Sequence, residues 1–330
     1  MKHAADEQQL PALPRILAFG EALTDMIRQP GEVWRAVPGG AAWNVARAMR
    51  GLGLPAAFAG AISGDALGDQ LFEASQNAGL DTRYVQRVAR SPLLAMVVET
   101  APPQYFFIGD DSADLHFDPA ALPAGWQAAA EWAHFGGISL ARAPLSTRLL
   151  ALAGQLKRAG KRISYDPNFR QLMDQRHDPT LEAMCGLADV IKVSDEDLCG
   201  LFRHPDPSFG LAKLRAWNPQ ALLLLTQGAQ GAVLFAGEQS WQARPPSVAV
   251  IDTVGAGDAS MAGLMCSLLE GDVAGGATGG ATGNPERHLR WAVAAGAAAC
   301  TTAGASAPSL NAVAALAAGV VSVVNVLRVC

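Results

Sequence analysis

Toward the C-terminal end of the chain, Asp252-Thr253-Val254-Gly255-Ala256-Gly257-Asp258 runs directly into Ala259-Ser260-Met261-Ala262-Gly263-Leu264. Residues 247–251 before it are short and apolar and read as a buried strand. Residues 259–269 after it have helical composition, broken only by Gly263. The glycines therefore lie where a strand turns into a helix. The first turn of a helix carries backbone N–H groups without intrahelical partners, and the helix dipole adds partial positive charge there. Glycines let phosphate oxygens come close to those N–H groups. A carboxylate repels phosphate, so Asp258 makes little sense as part of an anion site alone. It makes sense as the group that takes a proton from a hydroxyl attacking the phosphate. The plainer reading is an aspartate capping an ordinary helix behind a tight turn.

A second run, Pro38-Gly39-Gly40-Ala41-Ala42-Trp43-Asn44-Val45-Ala46, opens a helix at a Gly-Gly turn and carries Asn44 in its early turns. Asparagine is a mediocre helix-interior residue. Placed just after two glycines, its amide can point into a cleft and bind hydroxyls. The alternative is an amphipathic helix with an incidental Asn.

Composition excludes several classes. Half of the 330 residues are hydrophobic, with many Ala and Gly, as packed α/β layers require. A chain of this length buries a large core as one domain or two. The net charge of −5 leaves no nucleic-acid footprint, and no Lys/Arg run forms a basic patch. Cys185, Cys199, Cys266, Cys300 and Cys330 are scattered and odd in number, which points to a reduced, cytoplasmic setting. Residues 1–15 lack the apolar core of a signal peptide. No Walker-type G-x-x-x-x-G-K-[ST], no strand-linked G-x-G-x-x-G and no zinc-spaced His/Cys cluster occurs. His3, His116, His134, His177, His204 and His288 are isolated and receive no role.

The two runs together, Gly39-Gly40 with Asn44 and Ala46, and Asp252-Thr253 with Gly255-Ala256-Gly257-Asp258, resemble the ribokinase/PfkB family of sugar and nucleoside kinases. Gly20-Glu21-Ala22-Leu23-Thr24-Asp25-Met26 and Gly60-Ala61-Ile62-Ser63-Gly64-Asp65-Ala66-Leu67-Gly68 resemble its fructokinase-like branch. Asp166-Pro167-Asn168-Phe169-Arg170, Lys192-Val193-Ser194-Asp195-Glu196-Asp197-Leu198 and Thr226-Gln227-Gly228 follow in the family's order. The likeness runs from about Ile16 to about Leu310. It implies one kinase domain over 1–330, with a ribokinase-like three-layer α/β fold. A mainly parallel central sheet is flanked by helices and carries a small β-sheet lid at about 25–38 and 93–116.

The pattern that must position these residues is legible in outline. Residues 15–20 read as a first strand, with Asp25 expected at its end. Residues 25–37 hold turn residues and short β-prone pieces, and 93–100 with 104–108 read as a hairpin. Residues 132–136, 162–166, 190–193, 222–226 and 232–235 are strand candidates alternating with helical stretches, the rhythm of a parallel sheet covered on both faces. Ligands of such sheets sit at the strands' carboxyl ends, and Asp25, Asp166, Lys192, Thr226 and Asp258 all fall just after strand candidates. Residues 271–284, rich in Gly, Ala and Thr, read as a mobile surface loop. Residues 319–330 form an apolar extension past the family pattern. It is interrupted by Ser322, Asn325 and Arg328 and reads as a final strand or interface segment rather than a membrane anchor.

The resemblance also implies roles. Asp258 is the general base, and the amides of Gly255, Ala256 and Gly257 form the anion hole for the γ-phosphate. Asp25, Gly39, Gly40, Asn44 and Arg170 face the sugar; Asp166 and Asn168 shape the same wall or serve as turn residues. Lys192, Thr226, Gln227 and Gly228 line the phosphate-and-ribose side of ATP, and Gly304, Ala305 and Ser306 lie near the adenine. Mg²⁺ bridges the nucleotide through water and phosphates. Asp252 and the Val254 carbonyl match positions that hold a monovalent cation in relatives, so K⁺ is a candidate cofactor. Asp197 stands where the family often has Glu near the metal, and Ile108 where relatives often have Tyr. Fructose ranks first as acceptor, a 2-keto-3-deoxy sugar acid such as 2-keto-3-deoxygluconate second, and ribose or a nucleoside third. A sugar-binding sensor without turnover is the reading from another class. The apolar hairpin suggests a homodimer through the lid. Nucleic acid and membrane are not expected partners.

Overall fold

The computed structural model describes residues 12–31, 33–100, 103–275 and 284–325. Strand β1 (Ile16–Phe19) leads into the pair β2 (Leu23–Arg28) and β3 (Trp34–Gly39). Helix α1 (Ala41–Gly51), β4 (Ala56–Ser63), α2 (Ala66–Asn77), β5 (Val85–Val88) and the hairpin β6 (Leu94–Thr100) and β7 (Pro103–Ile108) follow. The alternating part then runs through α3 (Trp126–Ala129), β8 (Trp132–Gly136), α4 (Leu145–Arg158), β9 (Arg162–Asp166), α5 (Asp178–Leu187), β10 (Val190–Ser194), α6 (Asp195–Phe202), α7 (Pro207–Trp217) and β11 (Leu222–Thr226). The chain ends with β12 (Ala232–Ala236), β13 (Gln239–Arg244), α8 (Ala256–Gly275), α9 (Pro285–Ala299), α10 (Leu310–Ala317) and β14 (Val321–Asn325).

Among the described residues, ten strands form one sheet in the order β14-β13-β12-β11-β10-β9-β8-β1-β4-β5. The sheet is parallel from β5 to β11 and antiparallel from β11 to β14. Parallel strands are covered on both faces, which is why β4 can be buried at every position. One face packs against α4 to α7 through residues such as Leu149, Leu152, Met184, Leu198 and Leu214. The other packs against α1, α8 and α9 through Val45, Met49, Met261, Leu264, Met265 and Leu289. Gly263 in mid-helix has a packing reason: a Cβ there would lie 2.5 Å from the Trp291 carbonyl oxygen, so glycine lets α8 and α9 approach closely.

A second sheet, ordered β3-β2-β6-β7, is the lid. β2 pairs in parallel with β6 and antiparallel with β3, and β6 pairs antiparallel with β7. The lid strands stop at Ile108; Ala113–His116 is a short 3₁₀ turn with Ala113, Asp114 and Leu115 buried in the main body.

Four expectations are corrected. Residues 247–251 form no strand: Val250 and Ile251 are 62% and 65% exposed. The place beside β13 is taken by β14, and the amides of Ile251 and Asp252 donate to the Cys300 carbonyl at the end of α9 instead. Asp25 does not end the first strand; the chain leaves β1 at Phe19 and Asp25 lies inside β2, on the lid. Helix α8 begins at Ala256, so Asp258 belongs to its first turn, and it continues to Gly275 into the stretch read as a loop. Residues 276–283 of that stretch lie outside the described residues. In the C-terminal extension, β14 covers the edge of β13, and residues 326–330 lie outside the described residues. No described helix is long and apolar enough to cross a membrane.

Candidate active site

The carboxyl ends of β9, β10 and β11 place Asp166, Ser194 and Thr226 along one edge of the large sheet, the position at which open α/β sheets bind ligands. The first turn of α8 and the start of α1 meet above this edge. Asn44 Nδ2 donates to Asp258 Oδ2 at 3.1 Å, which joins the two glycine runs physically. Asp258 is buried. Burial and the neighbouring Asp166 carboxylate push its carboxyl up to about 7; Lys192, the Asn44 hydrogen bond and Arg170 act against them.

The glycine turn is held by backbone geometry. Gly255 has φ +80°, and a Cβ there would meet Ala305 Cα at 2.9 Å, so the 304–305 loop rests against it. The Gly304 amide donates to Asp252 Oδ2 at 2.8 Å, and the Val254 amide donates to Asp252 Oδ1 at 3.1 Å. Burial raises the Asp252 carboxyl, but the amides of Val254, Gly304 and Thr253 outweigh it, so it titrates below the ordinary carboxylate range. Among the described residues, the amides of Gly255, Gly257 and Asp258 reach no acceptor within the chain. Ala256 departs from expectation: its amide donates to the Thr253 carbonyl at 3.2 Å. The unpartnered donors at this helix start are thus Gly255, Gly257 and Asp258, with Ala256 held in the turn.

On the lid side, Asp25 projects from β2 against Gly39 of β3, where a Cβ would come within 2.1 Å of Asp25 Oδ2. Burial pushes the Asp25 carboxyl up to about 6, with Arg170 opposing. Arg170 Nη1 donates to Asn168 Oδ1 and to the Phe169 carbonyl, each at 2.7 Å, with Asn168 in the left-handed region at φ 47°. The Arg170 charge acts on Asp25, Asp166 and Asp258 together, so these residues converge on one cleft.

Two further groups escaped the sequence reading. Glu21 is buried and accepts from the Ala41 amide at 3.2 Å, from the Ser139 amide at 3.1 Å and from the Ser139 hydroxyl. It fastens the start of α1 to the loop after β8, and Gly40 at φ 116° is pressed against the Glu21 carbonyl. In the sequence Glu21 stood only as one member of the run over residues 20–26, with no role of its own. Arg47, one turn beyond Asn44, donates to the Ala305 carbonyl at 3.2 Å and lies over the Trp43 ring at 4.3 Å. Its spacing of three from Asn44 put it on the same helix face.

Other expected residues are placed as follows. Thr226 Oγ1 donates to the Val193 carbonyl at 3.4 Å and the Gln227 amide to Gly231 at 2.8 Å, with Gly228 exposed at the top of β11. Lys192, expected on the nucleotide wall, is buried, and its Nζ stands 3.0 Å from Asp166 Oδ2. Both Asp197 oxygens accept amides, from Phe169 and Ser194 at 2.8 Å each, in a capping box that starts α6. No group of three or more His, Cys, Asp or Glu suited to a metal ion occurs among the described residues.

A carboxylate set among open amides at a helix start, facing a β lid across a sheet edge, defines a phosphotransferase acting on a small hydroxylated molecule. The profile of the pfkB family carbohydrate kinase matches residues 14–312. Fructokinase of Klebsiella pneumoniae is 33% identical over 264 residues, covering 77% of this chain and 84% of that protein. Aminoimidazole riboside kinase of Salmonella typhimurium is 28% identical over 268 residues, covering 78% and 82%. The crystal structure of fructokinase with bound ATP from Xylella fastidiosa superposes with a TM-score of 0.82 at 29% identity, covering 93% of this chain and 99% of that one. The chain belongs to the pfkB family of carbohydrate kinases, and its activity is that of an ATP-dependent carbohydrate kinase.

Proposed function

We propose that the protein phosphorylates fructose at the expense of ATP, giving fructose 6-phosphate and ADP. The observation that carries this reading is the buried Asp258 carboxylate, held by Asn44 in the first turn of α8 beside open amides. The fructokinases among the relatives support the choice of sugar.

In this reading the acceptor hydroxyl lies against Asp258, and Asp25, Gly39, Gly40, Asn44 and Arg170 surround the sugar. The hydroxyl oxygen attacks the γ-phosphorus, the bond to the ADP oxygen breaks, and ADP leaves with the electron pair. Asp258 takes the hydroxyl proton. The amides of Gly255 and Gly257 stabilise charge on the transferring group. Thr226, Gln227, Gly228, Gly304 and Ala305 face the nucleotide. Mg²⁺ would neutralise phosphate charge, held mainly by the phosphates and water. Asp252 stays anionic and takes the Val254 and Gly304 amides on different oxygens, so with the Val254 carbonyl it suits a hard monovalent cation such as K⁺.

A second reading, a riboside kinase, is favoured by the aminoimidazole riboside kinase relative. ADP release measured across fructose, 2-keto-3-deoxygluconate, ribose, glucose, adenosine and aminoimidazole riboside decides between them. Turnover on fructose that is lost in Asp258→Asn supports the first reading, and turnover on the riboside alone overturns it. Turnover on none, with sugar binding intact, indicates a sensor. We further propose a homodimer through the lid, where Phe106 and Ile108 are 50% and 49% exposed on β7. A monomeric mass by light scattering would exclude it.

A further inference from the structure

Beneath the glycine turn lies a buried ion pair that takes no step in the proposed reaction. Lys192 sits in mid-strand on β10, one step beyond Ile191, which pairs with Tyr165 of β9. Its side chain is 6% exposed and that of Asp166 2% exposed, with 3.0 Å between Nζ and Oδ2. A Cβ on Gly257 would fall 2.8 Å from Lys192 Nζ, so the ammonium lies directly under the first turn of α8.

The groups around Asp258 are few. Asn44 faces it from α1, Asp166 from β9, Lys192 from β10, and Arg170 from the segment after β9. Lys192 in turn meets Asp166, Asp197 and Asp258, and lies near the buried His134 of β8. Asp197 is occupied by the amides of Ser194 and Phe169, and His134 Nδ1 pairs with the Ser164 hydroxyl at 3.1 Å. Lys192 is therefore the cation placed between the two acids whose mutual repulsion bears on the base. Burial disfavours two carboxylates side by side, and a cation between them restores the charged forms.

We infer that Lys192 is a positioning residue that keeps Asp258 ionised and aimed, by neutralising Asp166 beneath it, rather than a contact to the nucleotide. The inference rests on Asp258 being the base. It goes beyond that reading in assigning the acid limb of the reaction to a buried ion pair at the floor of the cleft. Burial disfavours the ammonium too, but the surrounding acids hold its pKa above the ordinary lysine value, so it stays charged throughout the working pH range.

The test is a pH profile of kcat on full-length protein with the acceptor identified by the sugar panel. Lys192→Met should move the acid limb upward by about one pH unit or more, since one unit is the scale of a lost close charge. Lys192→Met with Asp166→Asn removes both members of the pair and guards against a variant that fails to fold. In it the limb should return to within about half a unit of wild type and KM for ATP should stay within about threefold. A Lys192→Met limb identical to wild type, or a double variant whose KM for ATP rises about tenfold or more, overturns the inference. Asp258→Asn is measured alongside. If it retains turnover, the base assignment itself has failed, a result separate from either Lys192 outcome.

Discussion

Asn44 Nδ2 lies 3.1 Å from Asp258 Oδ2, linking positions 214 residues apart. Helix α1 thereby holds the carboxylate in the first turn of α8. A hydrogen bond to a charged group contributes about 1.5–3 kcal/mol. Asn44→Ala should raise the Asp258 pKa above about 7 and lower kcat/KM about tenfold or more at neutral pH. Initial rates between pH 5.5 and 9 check this, and an acid limb that stays in place contradicts it.

The same carboxyl links activity to stability. Its folded pKa of about 7 lies above the 3.8 of an exposed aspartate, so the native state binds the proton more tightly than the unfolded chain. The stabilisation is fully present below pH 4 and is lost as pH rises through about 7. Asp258→Asn should therefore melt higher than wild type at pH 8 and close to it at pH 4 to 5, while losing about 10²–10⁴-fold in kcat. Thermal melts at both pH values would show a wrong sign at once.

Asp25 has a folded pKa pushed up to about 6, so it loses its charge as pH falls through that value. An ionised carboxylate accepts sugar hydroxyls better than a neutral one. Sugar KM should rise below about pH 6 in the wild type, and Asp25→Asn should show a high KM that no longer varies across that range. KM for ATP, measured in the same runs, should stay flat.

Gly255 combines a left-handed φ of +80° with contact to the Ala305 backbone. Alanine costs roughly 1–2 kcal/mol from the backbone alone, and its Cβ must also displace the 304–305 loop. Gly255→Ala should lower urea stability by at least that amount and raise KM for ATP more than KM for sugar. Equal effects on the two would disconnect this loop from the nucleotide.

Glu21 accepts two amides and a hydroxyl in the interior. Glu21→Ala leaves those donors without an acceptor, each costing about 1–3 kcal/mol. The variant should lose stability by about 2–4 kcal/mol and bind sugar more weakly, because the start of α1 carries Gly40 and Asn44. Urea titration with sugar binding by calorimetry measures both.

The primary sequence by itself determined the chemistry and the rhythm of this protein. Asp252 to Asp258 and Gly39 to Asn44 were readable because glycine, asparagine and aspartate at a helix start have local physical consequences, independent of what packs around them. The strands at 132–136, 162–166, 190–193 and 222–226 were readable for a related reason. Buried parallel strands are mostly apolar, and short apolar runs between helical stretches stand out in any window. Residues 247–251 misled by the same rule, since nothing local says that β14 already occupies the edge beside β13. Tertiary structure alone decided which charges meet. The sequence put Lys192 on the nucleotide wall, and only the pairing of β9 and β10 placed it 3.0 Å from Asp166. Glu21 had no role of its own until α1 and the Ser139 loop closed over it. Asp258 reached a pKa near 7 only through burial and through Asp166, 92 positions earlier in the chain. Local propensity acts over a few residues, whereas desolvation and Coulomb interaction depend on distances through space, which only the folded chain sets.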